Sequence, residues 1–363
     1  MSVMDPPKDW SLDRTGARIA EGMLRAKFGA DLWGDINVGH LDTGMTRLDI
    51  FGPWVMPDRG MNYMEPGQPP IDPMTSMRFA GHGTRTLSIL TGSFGEFKGV
   101  APGLPVVPYR VCDDVILGTK EELNNVARAI RHAIEVNLCE VITISLGYPI
   151  IKSPWHNILG AAIDFAYEHG VIVVGAGGQP VDRPCYPGKF FRAICAGGYE
   201  LAALPDKLEI YQEYGPKGKL RAWVDGWGPA NPVWRMSVAK DAAGSPIPKP
   251  GFGDGTSFAT PHVSAAAAMW LSYHRQELLV AYDRPWQRVE AFRYLLQTAC
   301  ENLNQYPDFK GMVPNASPAK KGDTGLKPVG QGGGVRLDSV LQANLPPASK
   351  LKFEKRLARE QSV

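Results

Sequence analysis

The stretch GDGTSFATPHV, residues 253–263, decides the expected fold and contains the first candidate functional residue, Ser257. The serine lies where a glycine-rich turn gives way to an Ala-rich apolar segment, which predicts a buried helix over Phe258–Tyr273. Backbone N–H groups at the start of a helix have no partner within it, so they are available to bind an oxyanion. Pro261 is placed in the first turn of this helix, where proline is tolerated.

Two other short stretches supply groups that complement a serine nucleophile. Residues 39–44 read GHLDTG and contain Asp42, and residues 81–86 read GHGTRT and contain His82. Each is a weak signal alone, since Asp-Thr-Gly is common where a strand turns and a histidine beside glycine is usually structural. Together with Ser257 they provide the carboxylate, the imidazole and the hydroxyl that acyl transfer requires.

Apolar runs and helical patterns alternate along much of the chain. The continuous apolar runs predict four buried strands: Ile36–Leu41, Val106–Cys112, Val141–Leu146 and Val171–Ala176. Helices are predicted over five further segments: Leu12–Phe28 with Ser11 as N-cap, His82 to Gly92, Thr119 onward with Glu122 completing a capping box, Ser153 to His169, and Pro285–Cys300. Strands that are apolar throughout and alternate with helices favour a three-layer α/β fold, a parallel sheet with helices on both faces. The functional site of such a sheet lies at the carboxyl ends of its strands.

We expect one main domain with an extension at each end. The chain is divided into an N-terminal extension that includes a helix, the main domain and a charged C-terminal tail: residues 1–34, 35–345 and 346–363. Two segments rich in Gly and Pro, near 51–79 and 302–334, are interpreted as loop insertions of the main domain. The charged tail is interpreted as a solvated helix over Lys350–Arg359.

Composition favours neither nucleic acid nor a membrane as a partner. The 363 residues are 44% hydrophobic and 21% charged, and the formal net charge is +2. This balance gives no reason to expect binding to nucleic acid or anionic lipid, and no apolar run approaches the roughly 20 residues that span a bilayer. The five cysteines form no Cys-x-x-Cys pair, and the first ten residues lack an apolar signal core. We therefore expect reduced thiols and a cytoplasmic location.

The order Asp42, His82, Ser257 and the sequence around each residue resemble the subtilisin-like serine proteases. Further segments share the resemblance: KGVAPGLPVVPYRV at 98–111, VITISLG at 141–147, AAIDFAYEHGVIVVGAGGQ at 161–179, CYPGKF at 185–190, WVDGWGPANPVWR at 223–235 and GGGVRLDSVL at 332–341. The similarity runs from about Asp35 to Leu341. It implies a parallel sheet of about seven strands with helices on both faces.

The resemblance also implies an activity and the residues that perform it. The expected function is that of a serine endopeptidase, in which Asp42 orients His82, His82 acts as general base and then general acid, and Ser257 attacks the peptide carbonyl to form an acyl-enzyme. The residues implied to bind substrate follow two strands or line the primary specificity pocket: Ser145, Leu146, Gly147, Ala176, Gly177 and Cys185.

Two positions depart from the family pattern. Gln179 falls where the family normally has an asparagine that donates to the oxyanion, so it is a candidate oxyanion donor; the alternative is that backbone donors act alone. Cys185 precedes Tyr186 where many members have glycine at the floor of the specificity pocket. Its side chain is expected to make that pocket shallower, and the alternative is a buried structural cysteine that points away from it.

The resemblance also raises the question of calcium. The segment Thr91–Gly99 is shorter than the calcium loop of related subtilisins and has Glu96 as its only carboxylate, while calcium takes six to eight oxygen ligands. Asp49 remains a candidate ligand on an earlier loop. We expect no cofactor, with the usual calcium site missing or altered.

The sequence leaves alternatives open for the partners and for the activity. The expected partner is a peptide or protein substrate, with no nucleic acid and no membrane, and the sequence does not decide the oligomeric state. One alternative function is a catalytically impaired binding protein with a subtilisin fold. The other is a peptide-ligating or esterase member of the same fold, since these reactions share the acyl-enzyme.

Overall fold

A parallel sheet forms the centre of the molecule. The computed structural model describes residues 6–76, 78–149, 155–179, 185–203, 207–211, 224–309 and 332–360. The strands are β1 Val38–Asp42, β2 Met61–Asn62, β3 Ser93–Phe94, β4 Phe97–Lys98, β5 Val106–Arg110, β6 Val141–Ile144, β7 Ile172–Ala176, β8 Ile194–Ala203, β9 Lys207–Ile210, β10 Gly226–Asn231, β11 Val233–Lys240 and β12 Pro246–Gly253. The helices are α1 Trp10–Thr15, α2 Ala17–Phe28, α3 His82–Thr91, α4 Lys120–Glu135, α5 His156–Glu168, α6 Thr256–Tyr273, α7 Arg275–Ala281, α8 Trp286–Thr298 and α9 Leu337–Gln342.

The sheet has the order β10-β8-β7-β6-β1-β5-β2, and all neighbours along this path are parallel. The four strands predicted from apolar runs lie together at its centre as β7, β6, β1 and β5. A further strand, β9, pairs antiparallel with β8. The predicted parallel sheet of about seven strands is therefore confirmed.

Side chains from these strands enter two apolar cores on opposite faces of the sheet. In β7, Ile172 and Val174 join the core that contains α6, while Val173 between them joins the core that contains α4 and α5. This alternation follows from the two-residue repeat of a strand. Helix α6 is buried along almost its whole length, as its Ala-rich apolar sequence indicates. The three-layer prediction is confirmed.

The predicted N-terminal helix is divided in two. Gly16 ends α1 and precedes α2 with φ +66°, a conformation that favours glycine, and a Cβ there would lie 2.3 Å from the Asp338 carboxylate. Ser11 lies inside α1, and Asp9 takes the N-cap position instead. Helix α2 contributes Ala17, Ala20 and Leu24 to the main core, so the segment predicted as an extension packs with the rest of the fold.

The prediction of a solvated helix in the C-terminal tail is wrong. Over the tail's described residues only short 3-10 turns occur, at Ala348–Lys350 and Ala358–Glu360. The tail instead docks on α5, where the buried Ala358 donates its N–H to Asp164 at 2.7 Å. The buried Arg192 guanidinium donates to the Glu354 carbonyl at 2.8 and 3.1 Å. Buried charged groups need partners, and the extended tail supplies them.

The second half of the chain contains more sheet than its sequence indicates. Strands β11 and β12 form an eight-residue antiparallel hairpin although β12 reads PIPKPGFG. Its prolines occupy alternate positions, 246, 248 and 250, so their missing N–H groups all lie on one edge of the strand. Within the predicted 51–79 loop, β2 adds a short parallel strand beside β5. Residues 150–154, where the fourth predicted helix begins, and 310–331 of the second predicted insertion lie outside the described residues.

Candidate active site

Asp42 and His82 form a buried hydrogen-bonded pair at the carboxyl end of β1. Asp42 is the last residue of β1 and His82 is the first residue of α3, and their Oδ1 and Nδ1 atoms lie 2.7 Å apart. An ionised carboxylate only accepts, so the imidazole carries its hydrogen on Nδ1 and leaves Nε2 as an acceptor. The Thr43 N–H also donates to Oδ1, and the Thr86 hydroxyl donates to Oδ2 at 3.1 Å.

A second histidine lies behind this pair. His40 Nε2 is 2.9 Å from the Thr86 hydroxyl and 3.9 Å from Asp42 Oδ2. Burial lowers the pKa of His40 to about 4, with His82 adding to this effect and Asp42 opposing it. Burial by itself would raise the pKa of Asp42, but the charge and hydrogen bond of His82, with smaller effects of His40 and Thr43, bring that pKa below its usual value. Asp42 is therefore ionised and His40 neutral at neutral pH.

The glycine after His82 permits this close packing. A Cβ at Gly83 would lie 2.0 Å from the Gly44 carbonyl oxygen and 3.1 Å from the Asp42 side chain. Any larger residue would push α3 away from the end of β1. The glycines of the two motifs are therefore needed to bring the imidazole to the carboxylate.

Ser257 is the second residue of α6 and is linked to the end of β6. Its hydroxyl donates to the Ser145 carbonyl at 3.0 Å, and the Ser145 hydroxyl donates to the Ser257 carbonyl at 2.9 Å. The second bond has a clear origin in Pro261, which is the sixth residue of α6 and not in its first turn as predicted. Proline has no N–H to offer the carbonyl four residues earlier, so Ser145 takes that place.

Gln179 lies beside the start of α6. Its side-chain oxygen accepts from the Thr256 N–H at 2.9 Å and from the Thr256 hydroxyl at 2.8 Å. This anchor fixes the orientation of the amide, because the N–H can only donate. The Gln179 Nε2 atom and the Ser257 backbone nitrogen lie 3.7 and 3.6 Å from one point, the position of a Cβ on Gly255. Two donors therefore converge next to the Ser257 side chain.

One pocket of about 530 Å³ brings most of the predicted site residues together. Its lining includes His82, Ser145, Leu146, Gly147, Ala176, Gln179, Cys185 and Ser257. Asp42 is fully buried behind His82. Gly177 supports the wall from behind, with its carbonyl accepting from the Cys185 N–H at 3.0 Å. The residues implied by the resemblance thus share one site.

The Gly147 backbone is already hydrogen-bonded to the chain itself. Its N–H donates to the Val115 carbonyl at 3.0 Å, and its carbonyl accepts from the Leu117 N–H at 2.9 Å. An extended peptide can therefore pair with Gly147 only if these two bonds break. The expected role of Gly147 in substrate pairing stays a prediction and requires that residues 115–117 move aside.

The Cys185 side chain fills the space between two glycines of the pocket wall. Its Sγ atom lies 3.2 and 2.6 Å from the positions of a Cβ on Gly147 and on Gly178. The residue is only 4% exposed, and burial raises the pKa of its thiol to about 11, with Lys189 opposing the shift. The thiol therefore lies against the pocket wall and is protonated at neutral pH, and its effect on the depth of the specificity pocket stays a prediction.

Sequence reasoning missed one side of the pocket. Three arginines, Arg78, Arg85 and Arg235, line it together with Phe79 and Phe258. Arg85 and Phe258 lie inside the quoted motifs, so their nearness to the site was available from the sequence. Arg235 is the last residue of the quoted stretch at 223–235, but its place beside the site depends on β11, in the hairpin that was not predicted.

The expectation that the usual calcium site is missing or altered stays a prediction. Among the described residues, no cluster of three or more His, Cys, Asp or Glu side chains is placed to hold a metal ion. The segment Thr91–Gly99 contains the two-residue hairpin β3–β4, and Asp49 is exposed. Among the described helices, none is both long and apolar enough to cross a membrane.

The strand order, and a pocket at the carboxyl ends of β1, β6 and β7, define a subtilisin-like α/β fold. The chain belongs to the subtilase family, whose model matches residues 34–332. The chain is 20% identical to fervidolysin from Fervidobacterium pennivorans, a keratinolytic enzyme related to subtilisin, with a TM-score of 0.63 over 93% of this chain and 46% of that one.

Curated relatives match over shorter stretches. The thermophilic serine proteinase of Bacillus sp. (strain AK1) is 26% identical over 244 residues, which are 66% of this chain and 52% of the relative. Thermitase of Thermoactinomyces vulgaris is 28% identical over 199 residues, which are 54% of this chain and 62% of thermitase. The chain therefore spans only about half to two thirds of the length of these relatives.

Proposed function

We propose that this protein is a serine endopeptidase that uses Asp42, His82 and Ser257 as a catalytic triad. The observation that carries the proposal is the pairing of His82 Nδ1 with a buried, ionised Asp42 at 2.7 Å, in a pocket that also contains the Ser257 hydroxyl. A neutral imidazole held in this tautomer presents Nε2 to accept a proton. Membership of the subtilase family supports the same assignment.

The first chemical step requires the Ser257 hydroxyl to leave the Ser145 carbonyl. A hydroxyl donates one hydrogen, so it cannot donate to His82 while it donates to Ser145. The proposed mechanism requires the side chain to rotate so that this hydrogen is donated to His82 Nε2. As the Ser257 oxygen bonds to the peptide carbonyl carbon, the proton passes to Nε2 and the carbonyl oxygen gains the negative charge.

The oxyanion is held by the two donors beside Gly255. The Ser257 N–H lies at the start of α6 and Gln179 offers its Nε2 amide, whose orientation is fixed by Thr256. Collapse of this intermediate breaks the C–N bond, and His82 gives its proton to the leaving amine. Water then attacks the acyl-enzyme by the same route and restores the free serine.

Product analysis with a peptide library tests the proposal. We expect internal cleavages, mapped by mass spectrometry, that disappear with Ser257→Ala. An impaired binding protein would leave every peptide intact. A ligating enzyme, given an added amine nucleophile, would yield mainly amide-joined products in place of hydrolysed acids.

A further inference from the structure

The substrate cleft has two walls of different chemistry. The acyl wall consists of Ser145, Leu146, Gly147, Gly178 and Cys185, and it carries no charged side chain. The resemblance assigns this wall to the part of the substrate before the scissile bond. On that assignment, which rests on the proposed function, the other wall is left for residues after the bond.

The arginine wall consists of Arg78, Phe79, Arg85, Arg235 and Phe258. The pocket lining includes one carboxylate, that of the exposed Asp254, which already accepts a hydrogen bond from Tyr211. Three guanidinium groups therefore face a single carboxylate. Among the described residues, no acidic side chain forms a salt bridge with any of the three arginines.

Arg235 is the best-placed cation of this wall. It lies on β11 opposite Gly251, and its side chain extends to Gly253, the last residue of β12. Its Nε and Nη2 atoms are 2.9 and 3.2 Å from the position of a Cβ on Gly253. The Phe258 ring is 2.7 Å from that same position, one residue along the chain from Ser257. Arg235 Nε is buried and finds no hydrogen-bond partner among the residues that the structure describes. A buried donor without a partner costs free energy that an incoming acceptor would recover.

The charges around Arg235 do not neutralise it. Burial and then the charge of Arg85 lower the pKa of Arg235 to about 10, and Asp254 opposes them. The Arg85 guanidinium itself donates hydrogen bonds to the Ala80 and Phe79 carbonyls. These neutral acceptors leave the positive charge in place.

The acidic groups nearest Arg85, those of Asp42 and Asp72, accept hydrogen bonds from other residues. Asp42 accepts from His82, Thr43 and Thr86. Asp72 accepts from the Thr43 hydroxyl and from two backbone N–H groups.

Burial lowers the pKa of Arg85, and the charges of Asp42 and Asp72 oppose that shift, so they partly offset the positive charge of Arg85. Arg235 is opposed by the exposed Asp254 instead. Arg235 is therefore the cation that an incoming carboxylate would pair with in this partly enclosed cleft, where charges interact more strongly than in bulk water.

We infer that the arginine wall binds a substrate carboxylate on the leaving-group side of the scissile bond. Arginine presents several donors in a planar fork that matches a carboxylate, which makes such pairs both strong and directional. Two sources offer this group within reach of Ser257: an acidic side chain one to three residues after the bond, or the free C-terminus of a short substrate. The protein thus selects substrates by charge after the bond and by size before it.

Matched peptides test this inference. One set keeps a fixed sequence before the bond and carries Glu or Gln at each of the first three positions after it, with an amidated C-terminus. A second set carries Gln at these positions and ends in a free acid or an amide. We expect at least one acidic member to be cleaved about tenfold faster in kcat/KM than its neutral partner, and the set in which this occurs identifies the source. The preference should shrink as salt rises from 0.05 to about 0.5 M.

The Arg235→Gln variant locates the effect. The ratio of kcat/KM for the acidic and neutral peptides is independent of how much enzyme is folded, so partial misfolding cannot imitate a loss of preference. We expect this ratio to fall to near one in Arg235→Gln, to recover partly in Arg235→Lys, and to be unchanged in Arg25→Gln, whose arginine is exposed on α2. Equal cleavage of acidic and neutral peptides by the wild-type protein overturns the inference while the proposed function stands. Cleavage of no peptide at all overturns both.

Discussion

The acyl wall and the arginine wall meet at Ser257 but differ in charge and in accessibility. The acyl wall is uncharged, includes Cys185, and has the Gly147 backbone already paired with residues 115–117. The arginine wall carries three guanidinium groups, and among the described residues its buried Arg235 Nε has no hydrogen-bond partner. From this difference we expect selection before the bond to depend on shape and selection after it to depend on charge.

Substitution of the residues where the walls meet should have the largest effect. We expect Ser257→Ala and His82→Ala each to lower kcat by at least about 10⁴-fold on every substrate, and the double variant to be scarcely worse, since the two residues act as a unit. Steady-state kinetics on acidic and neutral peptides checks this, with His169→Gln, an exposed histidine, as control. A single variant that keeps a tenth of the wild-type rate would contradict the triad.

The two walls were not equally predictable from sequence. The acyl wall follows β6 and β7, whose continuous apolar runs predict buried parallel strands, and all of its residues except Gly178 are among the substrate-binding residues that the resemblance implies. Arg235 of the arginine wall lies on the β11–β12 hairpin. The alternating prolines of β12 are typical of a loop, so the sequence does not predict this hairpin. Arg85 lies inside a recognised motif, but nothing in a single sequence indicates that it faces Arg235, because that contact depends on how α3 packs against β11.

Gln179 shows a similar limit within the candidate site. Its position was predicted by resemblance, yet the extra methylene left its donor role open. The anchor on Thr256, which orients the amide, is a tertiary contact between residues 77 positions apart. Likewise the hydrogen bond from Ser145 to the Ser257 carbonyl depends on Pro261 lying beyond the first turn of α6, and sequence boundaries are too imprecise to indicate this.

Removal of the Gln179 donor should have the second largest effect and should not depend on the arginine wall. We expect Gln179→Ala to lower kcat by about 10²–10³ with little change in KM. Gln179→Glu keeps an oxygen for Thr256 but replaces the Nε2 donor by a second acceptor oxygen with a negative charge, so we expect it to lower kcat at least as much. Both variants should retain the preference between acidic and neutral peptides. Wild-type turnover in Gln179→Glu would show that backbone donors act alone.

Cys185→Gly should alter the acyl wall alone. Removal of the side chain opens space between Gly147 and Gly178, so we expect kcat/KM for Phe or Tyr before the scissile bond to rise about tenfold relative to Ala. The charge preference after the bond should stay the same, and Cys300→Ala should change neither. Cleavage profiles on a peptide library check this. An unchanged profile in Cys185→Gly would show that this residue does not set the size of the pocket.

Acid should lower the stability of the fold, an effect smaller than those of the substitutions above. Burial lowers the pKa of His40 and of His262 to about 4, with local charges modulating the first and the Phe258 carbonyl opposing the second. These values lie below the unfolded value of 6.5, so the unfolded chain binds protons first as the pH falls from about 7 to 4.

The free energy of unfolding should therefore decrease across this window, by up to about 3 kcal/mol for each histidine. Urea unfolding at several pH values measures the decrease. His40→Gln keeps a donor near Thr86 and should remove the part of this decrease that is due to His40. His169→Gln should leave the decrease unchanged. A pH dependence that is the same in wild type and His40→Gln would contradict the assignment of a neutral buried histidine.

Reaction with a fluorophosphonate tests the central claim most directly, because only an activated serine is modified at a useful rate. We predict a single modified residue in the wild-type protein, mapped by mass spectrometry to Ser257, and a large loss of labelling rate in His82→Ala while the Arg235→Gln variant still reacts. No labelling of Ser257, or labelling at the same rate without His82, would contradict a catalytic triad of Asp42, His82 and Ser257.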